Sequence, residues 1–203
     1  MIYAIAAALL LANASTAQQS TLPISGAVAF EAKSLSKLDA TNTARLLDPA
    51  LRARRSAPEV EFSKGWLTTQ PFVEGGTEWR CLSEALYFEA RGETIKGQFA
   101  VAEVILNRVD SRKYPNTICA VVNQGTGKRY QCQFTYTCDG YAEVISEPRA
   151  WEMVGKVARL SMAGAARNLT GGAQYYHTQA VRPRWSRVFT HTTTIGFHRF
   201  YRS

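Results

Sequence analysis

Residues 81–109 read CLSEALYFEARGETIKGQFAVAEVILNRV. Leu82, Ala85, Leu86 and Glu89 recur at i, i+3, i+4 and i+7, so they share one face of a helix. That apolar face ends on a carboxylate. Gly92 supplies a C′ position at which a left-handed residue stops a helix, which puts Glu93 just beyond it. A second helix is expected from about Gly97, carrying Phe99, Val101, Ala102, Val104, Ile105 and Leu106. It is apolar on most sides, as a central core helix is.

A helical glutamate is usually a solvated surface charge, paired here with Arg91 or a nearby lysine. Glu89 differs in standing at the end of the apolar face. A carboxyl fixed there is equipped to give up a proton on demand. The helix holds its position, and an apolar wall raises its pKa so that it keeps the proton near neutrality. Acid-catalysed cleavage of a glycosidic bond needs such a group.

Outward from this stretch the chain divides in three. Ile2 to Ala12 is almost wholly apolar and Ser15-Thr16-Ala17 is a small-x-small pattern, so residues 1–17 read as a signal peptide cleaved on export. The run is short of the roughly 20 apolar residues a membrane span needs. No Lys or Arg precedes it, and an uncleaved anchor is the alternative. Residues 18–78 have few aromatics and scattered Ser, Thr and Pro, and read as a poorly ordered tether with a marginal helix around 31–55. A folded domain is expected over 79–203.

Within that domain Thr117 can cap a short helix running to Val122. Residues 123–141 read as an irregular loop or hairpin, with Asp139-Gly140 as a turn. A third long helix is expected after Pro148, with Trp151, Val154, Ala158 and Met162 on one face. Short strands are expected at 174–177, 192–195 and 197–201. The fold class is therefore α+β, predominantly helical.

Cys81, Cys119, Cys132 and Cys138 suit an oxidising compartment and suggest two disulfides. Three pairings are possible. The short loop favours Cys132–Cys138, which leaves Cys81–Cys119. The rival is a zinc site with His177, His191 or His198, but the chain has no C-x-x-C and no H-E-x-x-H, so neither metal nor cofactor is expected. The net charge of +8 is uneven: residues 153–203 hold eight Lys/Arg and no Asp or Glu. A basic surface attracts anionic polymers. In an exported chain these are stem-peptide carboxylates, lipopolysaccharide or anionic lipid, and no nucleic acid is expected.

The run ALYFEARGE…GQFAVAEVILNRV…YPNTICAVV…CQFTYTCDG…AW…YYH…TTTIGFHRFY resembles the SleB/CwlJ-type cell wall hydrolases, over roughly residues 80–202. The resemblance implies a lysozyme/transglycosylase-like catalytic domain that cleaves peptidoglycan glycan strands in the periplasm or cell envelope. It also implies that the first glutamate of EARGE, Glu89, is catalytic. Glycoside hydrolysis normally uses two carboxylates, and Glu93 and Asp139 are the candidates for a second. A lytic transglycosylase needs only one. Its single glutamate protonates the leaving oxygen, then takes the proton of the muramic acid C6 hydroxyl, giving a 1,6-anhydro end.

Sugar binding needs flat apolar faces beside polar groups. Phe134, Tyr136, Tyr175, Tyr176 and Trp185 are candidate faces; Gln98, Thr135, Asp139 and His177 are candidate polar partners. Strand-like alternation in 133–139 would set Phe134 and Tyr136 on one face and Thr135 on the other. A buried, hydrogen-bonded His177 is the competing expectation. Three function classes follow: a glycan-cleaving enzyme, with a muramidase or amidase as enzymatic rivals; a silent peptidoglycan-binding module; and a polyanion-binding envelope protein.

Overall fold

The computed structural model of the protein describes residues 57–203, apart from residues 129 and 130. The expected signal segment, the marginal helix at 31–55 and most of the tether lie outside the described residues. The described part contains five α-helices and one three-stranded sheet: α1 Lys64–Thr69, α2 Thr77–Ala90, α3 Ile95–Val109, α4 Ile118–Val122, α5 Pro148–Met162, β1 Tyr175–Thr178, β2 Thr190–Ile195 and β3 His198–Arg202.

The two helices expected from the opening stretch are α2 and α3. They meet through a tight corner at residues 91–94, where the Glu93 N–H donates to the Ala90 carbonyl at 2.9 Å. The left-handed stop expected at Gly92 is not used, since Gly92 is not among the glycines with positive φ. The chain leaves α2 through Arg91 in right-handed conformation, and Thr94 caps α3 by accepting from the Gly97 N–H. The cap starts α3 at Ile95, two residues before Gly97.

The core is helical. Leu82, Ala85 and Leu86 of α2 are fully buried, as are Ala100, Val101, Ala102, Val104 and Ile105 of α3 and Val154, Val157 and Ala158 of α5. The expected face of α5 is thus rotated: Val157 replaces Met162, which is exposed. Polar side chains pin the helices together. The Tyr87 hydroxyl accepts from the Ser146 and Glu147 N–H groups at 3.1 and 3.0 Å, at the start of α5. Glu78 accepts from Ile118 N–H at 2.6 Å, at the start of α4.

The tether expectation changes in its last part. Leu67 of α1 is wholly buried, and Phe72 packs against Trp79 at 6.1 Å. The packed unit therefore begins upstream of Trp79. A six-residue helix is too short to show periodicity, and only its long-range packing makes it stable.

The sheet is antiparallel in the order β1-β3-β2, with Tyr176 opposite Phe200 and Thr178 opposite His198. A bulge interrupts β2 between His191 and Thr193. Side chains of α3 seat the sheet. Asn107 and Arg108 donate to the carbonyls of Ala173 and Gln174, at 3.0 and 2.7 Å. Glu103, buried in α3, accepts from the Leu169 and Thr170 N–H groups and the Thr170 hydroxyl at 2.6–3.0 Å. These ties hold β1 against the end of α2 where Glu89 stands.

Cys81 is joined to Cys119 and Cys132 to Cys138, which is the pairing favoured from loop length. The first bridge ties α2 to α4. The second closes a six-residue separation around a 3-10 turn, Thr135–Cys138.

Candidate active site

Glu89 lies half-buried on the last turn of α2 and lines a cleft of about 270 Å³. Its Oε2 accepts from the Tyr176 hydroxyl at 3.1 Å. Arg91 is not its partner: that guanidinium pairs with Glu147 at 2.8 Å and covers the Tyr87 ring. Burial raises the Glu89 pKa above the usual carboxylate range, more than the Tyr176 hydrogen bond and the Arg108 charge lower it. Burial, then the Glu89 charge, push the Tyr176 phenol well above its ordinary value, so it stays a hydrogen-bond donor.

Arg108 faces Glu89 across the same cleft. It is buried. Besides Gln174, it lies over the rings of Tyr114 and Phe134 at 5.5 and 5.4 Å. The Gln133 amide, with its oxygen toward the guanidinium, accepts at 3.1 and 3.2 Å. Sequence reasoning missed Arg108. A charged residue within an apolar helix was a signal, but the carbonyl it donates to lies 66 residues away.

The remaining candidates divide sharply. Phe134 and Thr135 line the cleft, Phe134 buried as its floor and Thr135 exposed at its edge. Tyr136 does not join them. It stacks on Phe88 at 4.6 Å and 20° and lines the adjoining hollow with Glu84 and Glu143, within electrostatic reach of Glu89. The expected alternation fails because residues 135–138 form a 3-10 turn, with the Thr137 hydroxyl donating to the Phe134 carbonyl. His177 borders the cleft, but its side chain is buried in the sheet. Nδ1 lies 2.7 Å from the Thr178 carbonyl and Nε2 3.1 Å from the Tyr201 hydroxyl. This is the buried, hydrogen-bonded histidine. Tyr175 and Trp185 belong to an aromatic cluster with Phe189, on the side of the sheet away from Tyr176.

Gln98 is also outside the cleft. It is buried at the start of α3 and its amide donates to the Glu93 carbonyl at 3.3 Å, clasping the corner after α2. It borders a larger cavity of about 530 Å³ between α1, the corner and α5, which Glu89 does not line. Asp139 is exposed and caps its own turn, accepting from Tyr141 N–H at 2.9 Å. Glu93 turns away from the cleft: its Oε1 accepts from Phe197 N–H at 2.9 Å and lies 2.8 Å from His198 Nδ1. Glu89 is thus the only carboxylate among the described residues lining the cleft. Among the described residues no group of three His, Cys, Asp or Glu could hold a metal ion.

The Glu93 contact needs a special turn. Gly196 joins β2 to β3 with φ +58°, and a Cβ there would lie 1.9 Å from Glu93 Oε2. Gly196→Ala should therefore destabilise the fold by about 1–3 kcal/mol, through both strain and displacement of Glu93. Thermal melts test this, and a wild-type melting temperature would contradict the packing described.

The sequence profile of the cell wall hydrolase family matches residues 92–201, just over half of the chain. The chain belongs to this family. Glu89 stands three residues before the matched segment, so its place rests on the helix and the cleft. The chain is 51% identical to the spore cortex-lytic enzyme of Bacillus subtilis over 75 residues, 37% of this chain and 23% of that protein. It is 33% identical to the spore cortex-lytic enzyme of Bacillus cereus over 120 residues, 59% of this chain and 42% of that one. The chain thus spans less than half the length of these relatives. Among solved structures, it matches the catalytic domain of the germination-specific lytic transglycosylase SleB from Bacillus anthracis with a TM-score of 0.50 and 29% identity. That match covers 66% of this chain and all of that domain. The hydrolase has the expected lysozyme-like, helix-rich fold with a small sheet.

Proposed function

We propose that this cell wall hydrolase cleaves the glycan strands of peptidoglycan as a lytic transglycosylase, with Glu89 as the general acid and base. The observation that carries this reading is the solitary carboxyl. Glu89 is fixed by a helix end and one phenol donor, its pKa is raised by burial, and among the described residues no other carboxylate lines its hollow, Glu84 and Glu143 lining the one beside it. A hydrolase working through water would require a second carboxylate beyond the sugar ring. Here the protonated Glu89 donates to the leaving glycosidic oxygen. The carboxylate so formed then takes the proton of the muramic acid C6 hydroxyl as that oxygen attacks C1. The hydroxyl is part of the same sugar, so its attack has the high effective molarity of an intramolecular reaction.

The similarity to the lytic transglycosylase SleB, whose catalytic domain is matched over its whole length, supports the same chemistry. Thr135, exposed at the cleft edge over the buried Phe134, would meet the sugar beside Glu89. We place the enzyme outside the cytoplasm, in the periplasm or cell envelope, because its substrate lies there and its four described cysteines are paired. The basic residues of 153–203 would draw it to anionic wall and envelope polymers.

The test is digestion of purified peptidoglycan with separate assays for glycan fragments and newly freed amino groups. Soluble glycan fragments with intact peptide cross-links are expected. Freed stem peptides on intact glycan would establish an amidase instead, and binding without release would establish a silent wall-binding module.

A further inference from the structure

Glu93 and His198 are separated by 105 residues in the chain, yet they meet in a buried contact. Their side chains are 4% and 5% exposed, and Glu93 Oε1 lies 2.8 Å from His198 Nδ1. The same oxygen accepts from Phe197 N–H, so the carboxylate holds both the β2–β3 turn and the ring that follows it. Gly97 and Gly196 leave the room this carboxylate occupies: a Cβ on either would come within 3 Å of its Oε2. Glu93 is thus a built-in support for one imidazole.

That imidazole reaches the cleft. His198 lines it together with Glu89, and the two are linked by Tyr176, whose hydroxyl holds Glu89 and whose ring meets the His198 ring edge-on at 5.0 Å. Nδ1 is sealed and has Glu93 Oε1 2.8 Å away as its nearest partner, close enough for an ion pair but not aligned as a hydrogen bond; the other ring nitrogen, Nε2, makes no hydrogen bond among the described residues and is not sealed. A carboxylate at Nδ1 favours the tautomer with the proton there and the lone pair on Nε2. The cleft therefore holds an acceptor nitrogen beside the acid, in a pocket meant for a polymer rich in O–H and N–H donors.

We propose that His198 is a substrate-binding residue of the cleft, whose Nε2 accepts a hydrogen bond from an O–H or N–H donor of the bound glycan, and that Glu93 is the positioning residue that sets its tautomer. This rests on the glycan-cleavage reading above and adds to it. Glu93 takes no part as a second carboxylate; it acts through the ring. Only neutral His198 can accept. Burial lowers its pKa, and the Glu93 charge opposes that. The other groups facing it are Tyr176 and His177 from β1, Glu89 from α2 and Arg108 from α3.

The test is the pH dependence of kcat/KM for wall digestion, which reports groups of the free enzyme. Activity needs neutral His198 and protonated Glu89 together, so wild type should lose activity on both sides of an optimum. His198→Gln keeps an acceptor that does not titrate, so its acid limb should vanish while the alkaline limb stays. Glu93→Gln removes the charge that favours the imidazolium, so the His198 ring should titrate at lower pH, read by NMR of the ring. A purely structural tie would lower the whole profile without moving either limb, and that result would overturn the proposal. A second measurement needs neither variant to fold: NMR titration of the His198 ring in Glu89→Gln protein, with and without a soluble tetrasaccharide fragment of peptidoglycan. The bound fragment should lower the His198 pKa, and an unchanged titration would refute the contact. Should wild type fail to cleave glycan at all, the functional reading falls; should wild type cleave with these arms failing, only the role of His198 falls.

Discussion

Glu89→Gln is expected to reduce glycan cleavage by roughly 10²–10⁴-fold while the protein stays folded. The amide has the shape of the carboxyl and can still accept from Tyr176, but it has no proton to donate. Its pH behaviour follows from the raised pKa of Glu89. The acid form is the active one, so wild-type activity should fall as pH rises through that value. Stability should move the other way. A group whose folded pKa is raised contributes stability that is full below its unfolded pKa and is lost as pH rises through the folded one. Above its folded pKa, wild type therefore carries a half-buried charge that Glu89→Gln lacks. The variant should melt no lower than wild type there, and any advantage should disappear in acid. Activity assays and melts at several pH values check both parts. Near-normal activity in folded Glu89→Gln would end the assignment.

Loss of the disulfides should separate stability from activity. Cys81–Cys119 closes a sequence separation of 38 and Cys132–Cys138 one of 6. The entropy of loop closure in the unfolded chain then predicts a cost of about 4 kcal/mol for the first bridge and about 2 kcal/mol for the second. The activity ranking should be reversed. Residues 134 and 135 lie within the small loop and line the cleft, whereas the large bridge joins α2 to α4 away from it. Paired Cys→Ser variants, compared by denaturant unfolding and wall lysis, test this. Equal stability losses with equal activity would contradict the distinct roles given to the two loops.

What the sequence made legible is what depends on near neighbours. Helical spacing located α2 and α3 and set Glu89 at the end of an apolar face, and loop length favoured the disulfide pairing. Groups whose partners lie far along the chain were not legible. Arg108 finds its carbonyl 66 residues away, and Glu93 meets Phe197 across 104. His198 was visible only as a candidate metal ligand, because nothing near it in sequence announces a buried carboxylate. Asp139 and Tyr136 were misplaced for a local reason: a 3-10 turn replaced the expected strand, so alternate residues no longer share a face. Gln98 shows a further limit, since a polar residue at a helix start can serve the backbone of the preceding corner rather than a ligand.

The central claim is that one carboxyl, Glu89, cleaves glycan by making the sugar's own C6 hydroxyl the nucleophile. The measurement that tests it most directly is the mass of the fragments released from purified peptidoglycan by the wild-type chain. Muropeptides ending in 1,6-anhydromuramic acid, one water lighter than reducing-end products and resistant to borohydride, are predicted. Fragments that all end in reducing sugars would contradict the mechanism, because water would then have been the nucleophile and a second base would have to exist in the cleft.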